Sequence, residues 1–352
     1  MRTIRTAVIG CGDISVLHLD AIAQLPGVEL VAVCDVDAER RERTAAEAGV
    51  PGTASLTETL ERYSPDVVHL CTPHDQHADL AVEALAAGVE VLTEKPLAST
   101  LDDARRMVEA AAASGAPRIG VCFQNRYNAT VQEAHRILEH GELGAPTGAV
   151  ATVAWHRTPE YYLARPWRGT WAGSGGGLLI NQAIHTLDLL QWLLGGVTAV
   201  TGTASTDSLG EVIEVEDTAT VTLTHPSGIR SVLLATNGAP TNLPVQIAIQ
   251  CEHGTLRIAH ELTVLPAGGE QRVVTERAAP PSARSYWGAS HAALIADFYA
   301  GHGNGQPFWI SPAEASPALQ ILKAVYDGKR GFPRRPGAEL DRDNPLLDPT
   351  AT

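Results

Sequence analysis

Residues 6–15, TAVIGCGDIS, read as an apolar strand that runs into a glycine turn. Gly10 permits the tight turn, and Gly12 lets bare backbone approach a diphosphate at the N-terminus of the helical pattern that follows. Ser15 stands where a third glycine usually stands. This strand, turn and helix predict a dinucleotide-binding α/β domain. The residues predicted to form the cofactor-binding turn are Gly10, Cys11, Gly12, Asp13 and Ile14.

A second apolar stretch, VELVAVCDVD at residues 28–37, carries Asp35 about 20 positions beyond the turn. A carboxylate there binds the 2′-hydroxyl of an adenosine ribose and repels a 2′-phosphate, which favours NAD over NADP. Arginines at 40, 41 and 43 could swing toward a 2′-phosphate, so NADP stays the less favoured alternative. The competing interpretation, a glycine turn in an unrelated α/β protein, leaves Asp35 as a mere strand end.

Composition narrows the class of protein. A length of 352 residues suggests two domains, each large enough to bury a core. The 40 acidic and 26 basic residues give a net charge of −14, which argues against nucleic acid or an anionic membrane as a partner. No apolar run approaches the ~20 residues that cross a bilayer. Because MRTIRTAVIG enters a strand at once, we expect no signal peptide and a cytoplasmic protein.

The five cysteines form no CxxC pair, and three of them lie in apolar, strand-like runs. We therefore expect reduced and mostly buried thiols rather than zinc ligands or disulfides. His74 and His77 have no third ligand at metal-binding spacing, so the sequence predicts no metal site.

Strand and helix patterns alternate until about residue 125, which predicts a doubly wound parallel sheet with nucleotide at the carboxyl ends of its strands. Long β-rich segments follow, and turn signals such as HPSG (225–228) and EHG (252–254) predict antiparallel neighbours. The predicted fold is thus an α/β Rossmann domain followed by an α+β domain with a large, mostly antiparallel open sheet. The predicted bounds are 1–125 and 126–332, with a tail at 333–352.

Another apolar strand, VEVLT at residues 89–93, leads into Glu94, Lys95 and Pro96. Hydride leaves a carbinol carbon only as the hydroxyl proton is taken up, so a base or relay must touch that oxygen and a cation would stabilise it. Lys95, at the carboxyl end of a buried strand, suits the role of the cation. The alternative is an ordinary solvated lysine.

The segment NQAIHTLDLLQWL (181–193) has helical periodicity, and it places Asn181, His185 and Asp188 on one stripe. Histidine titrates near neutrality and can relay a proton, and Asp188 could fix its tautomer. The alternative is a histidine on a helix face that is satisfied by a carbonyl group.

Four segments, in order, resemble one family. They are GCGDIS with His18, CTPHDQH (71–77), TEKP (93–96) and GGGLLINQAIHTLDLL (175–190). Together they resemble the glucose-fructose oxidoreductase, inositol dehydrogenase and rhizopine-catabolism family (Gfo/Idh/MocA). The resemblance implies a substrate-binding and oligomerising C-terminal sheet domain, a homodimer or homotetramer, and nicotinamide-dependent chemistry on a small sugar, inositol or nucleotide-sugar substrate.

The resemblance also implies roles for single residues. Lys95 contacts the nicotinamide region and the substrate hydroxyl, and Glu94 helps to position it. Inositol-dehydrogenase-like members carry Asp where this chain has Asn181, which cannot accept a proton and would orient a substrate hydroxyl. The NQAIH form looks more like the branch that acts on nucleotide-linked or glycosidic pyranoses. Further expected contacts are Thr72, Pro73 and His77 to the cofactor, and Arg126, Tyr127, Trp167 and Arg168 to the substrate.

The resulting hypothesis is an NAD-dependent oxidoreductase acting on a secondary alcohol or ketone of a sugar, sugar derivative or inositol. Lys95, His185 and Asn181 are its predicted catalytic residues. One alternative is a glycoside hydrolase or lyase that keeps NAD bound and oxidises the sugar transiently. A second is a non-catalytic nucleotide-sensing protein on the same scaffold.

Overall fold

The computed structural model describes residues 2–276 and 290–328, so the predicted tail at 333–352 lies outside the described residues. The first half is a six-stranded parallel sheet in the order β3-β2-β1-β4-β5-β6, as the alternation predicted. Its two-residue strand β3 was too short for the sequence pattern to show. The strands are β1 (Ile4–Ile9), β2 (Val28–Cys34), β3 (Gly52–Thr53), β4 (Val67–Leu70), β5 (Glu90–Glu94) and β6 (Ile119–Cys122).

Five helices alternate with these strands, and side-chain caps define where several begin. Asp37, Ser55 and Thr100 each accept a hydrogen bond from the backbone N–H three residues on, which satisfies one donor that a helix leaves open. The helices are α1 (Ser15–Gln24), α2 (Ala38–Ala48), α3 (Leu56–Tyr63), α4 (His77–Ala86) and α5 (Leu101–Ala112).

The second half is an eight-stranded sheet in the order β14-β13-β12-β11-β7-β10-β9-β8. Its pairs are antiparallel except β7 with β10, and the turns at HPSG and EHG do join antiparallel strands. Residues 254–265 form two neighbouring strands, β12 and β13, that pair with each other. The strands are β7 (Pro146–Ala154), β8 (Ala199–Ser205), β9 (Thr218–Thr224), β10 (Arg230–Thr236), β11 (Gln246–Cys251), β12 (Gly254–Ile258), β13 (Glu261–Pro266) and β14 (Arg272–Thr275).

Helices after β6 tie the two sheets together. α10 packs against α1, and α11 packs against α5 and α9. The sequence pattern did not reveal α11, because two prolines interrupt its segment. Ser311 caps it, Pro312 occupies its first turn and Pro317 lies within it. The helices are α6 (Ala129–Glu139), α7 (Pro159–Leu163), α8 (Trp171–Ser174), α9 (Ile184–Leu193), α10 (Ser290–Ala300) and α11 (Pro312–Tyr326).

The second sheet has unlike faces. Along β7 and β10, Ala149 and Leu233 are buried, whereas Val150 and Leu234 on the opposite face are 49% and 47% exposed. Alternation of this kind marks a sheet with one face on the core and one open. Within residues 2–276 and 290–328, no helix combines the length and apolarity needed to span a membrane.

Candidate active site

The glycine turn lies between β1 and α1, against the end of β4. Gly10 has φ +93°, and a Cβ there would lie 2.7 Å from the carbonyl carbon and oxygen of Cys71. At Gly12 the nearest atom to an added Cβ is the Cys71 oxygen, 4.0 Å away. Gly10 therefore permits close packing of two strand ends, and Gly12 leaves its backbone accessible to an anion. This arrangement fits the diphosphate of a dinucleotide.

Asp35 follows β2 beside this turn. Its carboxylate accepts hydrogen bonds from the N–H groups of Cys11, at 2.8 Å, and Asp37, at 2.9 Å. Arg40 bonds Asp37 at 3.0 Å and comes within 3.8 Å of Asp35. Asp35 is thus held beside the glycine turn, and two carboxylates face Arg40, one of the three arginines that could swing toward a 2′-phosphate.

The segment from α7 to α8 reaches across the turn. Arg165 and Arg168 donate to opposite oxygens of Asp13, at 3.1 and 3.2 Å. Trp167 meets the ring of His74 edge-on, with centroids 4.8 Å apart. The two guanidinium groups offset an aspartate charge that would otherwise repel a diphosphate.

Lys95 follows β5 at the carboxyl edge of the parallel sheet and is partly buried. Its Nζ donates to the carbonyl oxygen of Asn181 at 3.0 Å, and its N–H contacts the Glu94 carboxylate at 3.3 Å. Burial lowers the pKa of Lys95, and the charge of Glu94 opposes this shift. His77 lies between the adjoining loops, with its Nδ1 atom 2.8 Å from the carbonyl oxygen of Pro96 and its Nε2 atom 3.0 Å from that of Thr72.

Asn181 lies in a π-helical turn, Leu179–Ala183, that leads into α9. Such turns are frequent at functional sites. The Asn181 side-chain amide donates to Ser174 Oγ at 3.0 Å and to the Gly177 carbonyl at 3.2 Å. One turn on, burial and then the charge of Lys95 lower the pKa of His185 to about 3. His185 is therefore a neutral imidazole at physiological pH, and Lys95 lies close to it.

Two expectations need correction. Arg126 is 0% exposed and binds both oxygens of Asp188, at 2.6 and 2.8 Å, so it does not face a substrate. Asp188 is committed to that ion pair and does not fix the tautomer of His185. The Nδ1 atom of His185 has no hydrogen-bond partner among the described residues. Helical spacing places Asp188 and His185 on one face of the helix. The buried guanidinium group of Arg126 is nevertheless the partner of the Asp188 carboxylate.

Two residues near Arg126, Tyr127 and Gln124, have partners that the sequence did not indicate. The Tyr127 hydroxyl donates to Asp297 at 2.6 Å and accepts from the indole of Trp309. Gln124, two residues before Arg126, places its amide nitrogen 3.4 Å from His185 Nε2. The substrate contacts expected from this segment are Arg126 and Tyr127, but the residue of it that meets His185 is Gln124.

The triple glycine before the π-helical turn is held by residues that are distant in the sequence. Glu216 accepts hydrogen bonds from the N–H groups of Gly177 and Leu179, both at 2.8 Å, and from the Tyr326 hydroxyl at 2.6 Å. A Cβ on Gly177 would lie 2.0 Å from the Glu216 carbonyl oxygen. The positions of Asn181 and His185 therefore depend on the loop before β9, which carries Glu216, and on the end of α11, which carries Tyr326. No local sequence pattern predicted either contact.

Beneath Lys95, Glu94 Oε1 meets Nε2 of His18 at 3.0 Å and Nε2 of His291 at 3.1 Å. These three residues are a group whose ligand atoms all lie within 4.8 Å, a spacing that could hold a metal ion. As they stand, both imidazoles are directed at one carboxylate oxygen at hydrogen-bond distance. They are far apart in sequence, so spacing rules could not bring them together.

Comparisons with known proteins agree with this geometry. Residues 4–121 match the GFO/IDH/MocA oxidoreductase family, NAD-binding Rossmann fold, and residues 131–257 match the GFO/IDH/MocA C-terminal domain. D-apiose dehydrogenase of Paraburkholderia graminis is 30% identical over 88% of this chain and 80% of its own. The chain belongs to the GFO/IDH/MocA oxidoreductase family.

Other members of the family are similar over nearly the full length. Inositol 2-dehydrogenase 2 of Saccharopolyspora erythraea is 28% identical over 93% of this chain and 94% of its own. The WlbA dehydrogenase of Bordetella pertussis, solved with NADH and UDP-GlcNAcA, is 32% identical with a TM-score of 0.82, covering 97% of this chain and 100% of that one. This GFO/IDH/MocA protein is thus an NAD-dependent oxidoreductase of a family that acts on sugars, inositols and nucleotide sugars. The fold and cofactor expected from the sequence are confirmed.

Proposed function

We propose that this GFO/IDH/MocA protein interconverts one secondary alcohol and the corresponding ketone of a sugar, a sugar derivative such as a nucleotide sugar, or an inositol, with Lys95 and His185 as its catalytic side chains. Residues 1–125 bind the cofactor and residues 126–332 bind the substrate. The observation that carries the proposal is the 3.0 Å bond from Lys95 Nζ to Asn181. It joins the carboxyl edge of the parallel sheet to the π-helical turn that leads to His185.

When bound, NAD would accept or supply the hydride. The residues that fit its dinucleotide are the glycine turn, Asp13 with its two arginines, and Asp35. Lys95 donates a hydrogen bond to the reacting oxygen and so stabilises negative charge on it. Because the low pKa of His185 disfavours an imidazolium, His185 acts as a relay, in which one ring nitrogen accepts the hydroxyl proton as the other releases one. Asn181 orients a neighbouring hydroxyl, since an amide cannot accept a proton.

The proposed substrate class rests on relatives and on the chain's own side chains. WlbA was solved with UDP-GlcNAcA, and D-apiose and inositol dehydrogenases act on free sugars or polyols. In this chain the Arg168 guanidinium lies over the ring of Trp167, 5.7 Å from its centroid, and both residues are partly exposed. Aromatic faces stack on sugar C–H surfaces, and a guanidinium binds hydroxyls, carboxylates or phosphates.

The test is a substrate panel. Purified protein is incubated with NAD, and separately with NADP, against inositols, free aldoses, methyl glycosides and nucleotide sugars, and absorbance of the reduced cofactor is followed. We expect NAD to be reduced with one sugar class. Cleavage of a glycoside by protein that retains NAD, with no net change in absorbance, would instead identify the transient-oxidation hydrolase or lyase.

Replacement of Lys95 tests the catalytic assignment. We expect Lys95→Met to lower kcat about 10³-fold, because the reacting oxygen loses its positively charged donor, while NAD affinity stays within about twofold. Titration of NAD by intrinsic fluorescence measures the affinity. Turnover near the wild-type rate would refute the assignment.

We propose further that the protein is a cytoplasmic homodimer or homotetramer assembled through the open face of the second sheet. All five cysteines are free and buried, which suits a reducing compartment. Val150 and Leu234 give the open face an apolar character. Light scattering on Leu234→Lys, expected to yield smaller assemblies than the wild type, tests this interface.

A further inference from the structure

A buried line of hydrogen bonds runs through the parallel sheet to Glu94. The hydroxyl of Thr6 on β1 meets that of Tyr299 on α10 at 2.8 Å, and the Tyr299 hydroxyl meets Nε2 of His69 on β4 at 2.8 Å. His69 Nδ1 lies 2.7 Å from His18 Nδ1 on α1, and His18 Nε2 lies 3.0 Å from Glu94 Oε1. We call these five residues the Glu94 chain. All are buried, and none of them except Glu94 has a role in the chemistry described above.

The charge of Glu94, the last residue of the Glu94 chain, determines which atom is the donor in each of its hydrogen bonds. An ionised carboxylate only accepts, so His18 Nε2 must carry a proton. A neutral His18 then has a lone pair on Nδ1, which requires His69 to donate from its own Nδ1. A neutral His69 accepts at Nε2 from the Tyr299 hydroxyl, and the Tyr299 oxygen accepts in turn from Thr6. Each donor points toward Glu94.

Charge states in the Glu94 chain agree with this order. Burial lowers the pKa of His18 and holds that of His69 well below its ordinary value, which keeps both imidazoles neutral. Hydrogen bonds from His18 and His291 overcome the burial of Glu94 and hold its pKa well below the usual range. Hydrogen bonds aligned in one direction polarise one another, so the first donor affects the last acceptor.

We propose that the Glu94 chain, with His291 as a second donor, holds Glu94 as a carboxylate and thereby keeps the neighbouring Lys95 protonated. Its members other than Glu94 are positioning residues, since they act on the substrate only through Glu94 and Lys95. This inference rests on the proposed function of Lys95. It also gives α10 a part in the site, because Tyr299 and His291 both lie on that helix.

The groups that surround Lys95 set the sign of the expected effect. Burial and Arg168 disfavour its charge, and the Glu94 carboxylate favours it. If the Glu94 chain no longer donated a hydrogen bond to Glu94, that carboxylate could take up a proton, and the pKa of Lys95 would fall. If catalysis needs a protonated Lys95, the basic limb of kcat/KM then moves to lower pH. Other titratable groups facing Lys95 or Glu94 are Cys71, Cys122, His74, His77 and His185.

Wild-type protein gives the first test without any assay of activity. Nitrogen-15 NMR of its 13 histidines, assigned with His18→Gln and His69→Gln, reports which ring nitrogen carries the proton. We expect neutral His69 protonated on Nδ1, neutral His18 protonated on Nε2, and a proton on Nε2 of His291. A charged His18, or His69 protonated on Nε2, would overturn the proposal. So would a stoichiometric metal ion that takes the place of the protons on His18 and His291.

Tyr299→Phe gives the second test, and Ser231→Ala is its matched control. Each variant deletes one buried hydroxyl that lies 2.8 Å from a histidine Nε2, but the partner of Ser231 is His225 in the second sheet. We expect Tyr299→Phe to move the basic limb about 0.5 to 1 unit lower in pH, and Glu94→Gln to move it further. Ser231→Ala should leave the limb in place.

The outcomes separate two failures. An unmoved limb in folded Tyr299→Phe, with inactive Lys95→Met, would refute only the inference about the Glu94 chain. Active Lys95→Met would refute the proposed function itself. If Tyr299→Phe does not fold, Thr6→Val removes the first donor alone and should move the limb the same way by less.

Discussion

The two halves of the site are held in place by different means. On the cofactor side, the glycine turn, Asp35 and Lys95 each follow a strand of one parallel sheet, so chain order places them at one edge. On the substrate side, Asn181 and His185 lie on a helical turn whose position depends on Glu216 and α11. Where residues follow strand ends, local patterns indicate both the residues and their place in the site. On the helical turn, local patterns indicate Asn181 and His185 but not the distant side chains that hold them in place.

The fate of two arginines illustrates the same difference. Arg168 is partly exposed beside the glycine turn, where it binds Asp13. Arg126 is fully buried and binds Asp188. The sequence predicts both as substrate contacts, because both are arginines in segments that are expected near the site. Only burial distinguishes an arginine that can meet a ligand from one that neutralises an internal carboxylate.

The largest effect that we expect from breaking the substrate half comes from Arg126→Met. Loss of the guanidinium leaves Asp188 buried without its partner, so the free energy of unfolding should fall by about 3 to 5 kcal/mol. Urea denaturation measures the loss, and KM of the folded fraction should stay unchanged. The double variant Arg126→Met with Asp188→Leu should recover most of the stability. A raised KM at normal stability would show that Arg126 does contact the substrate.

Two glycine variants compare the halves directly. Gly177→Ala sets a Cβ against the Glu216 backbone, so we expect a loss of about 3 kcal/mol and a fall in kcat with NAD affinity retained. Gly10→Ala sets a Cβ against Cys71 at the turn and should instead weaken NAD binding. Calorimetric titration of NAD distinguishes the two. Gly210→Ala, whose nearest neighbour would be 3.7 Å from the new Cβ, is the control. Equal loss of NAD affinity in Gly177→Ala and Gly10→Ala would contradict the distinction between the two halves of the site.

A smaller effect is expected at Lys323, which donates to the carbonyl of Gly175, the first residue of the triple glycine. Burial lowers its pKa to about 8 from an ordinary 10.5. Between these pH values the unfolded chain binds more protons than the folded one, so the wild type gains stability as pH rises through this window. We expect the stability of Lys323→Met relative to the wild type to decline by about 1 to 2 kcal/mol from pH 8 to 10.5. A pH-independent difference would contradict the lowered pKa.

By itself the sequence determined the class of fold, the NAD-type turn with Asp35, and the family, because strand, turn and helix signals act over short stretches. It also singled out Lys95 and His185, since each lies in a motif with its own local geometry. The tertiary structure alone decided that Arg126 pairs with Asp188, that Gln124 meets His185, and that α10 reaches Glu94. Those partners are distant in the chain or differ only in burial, and packing of the whole core brings them together.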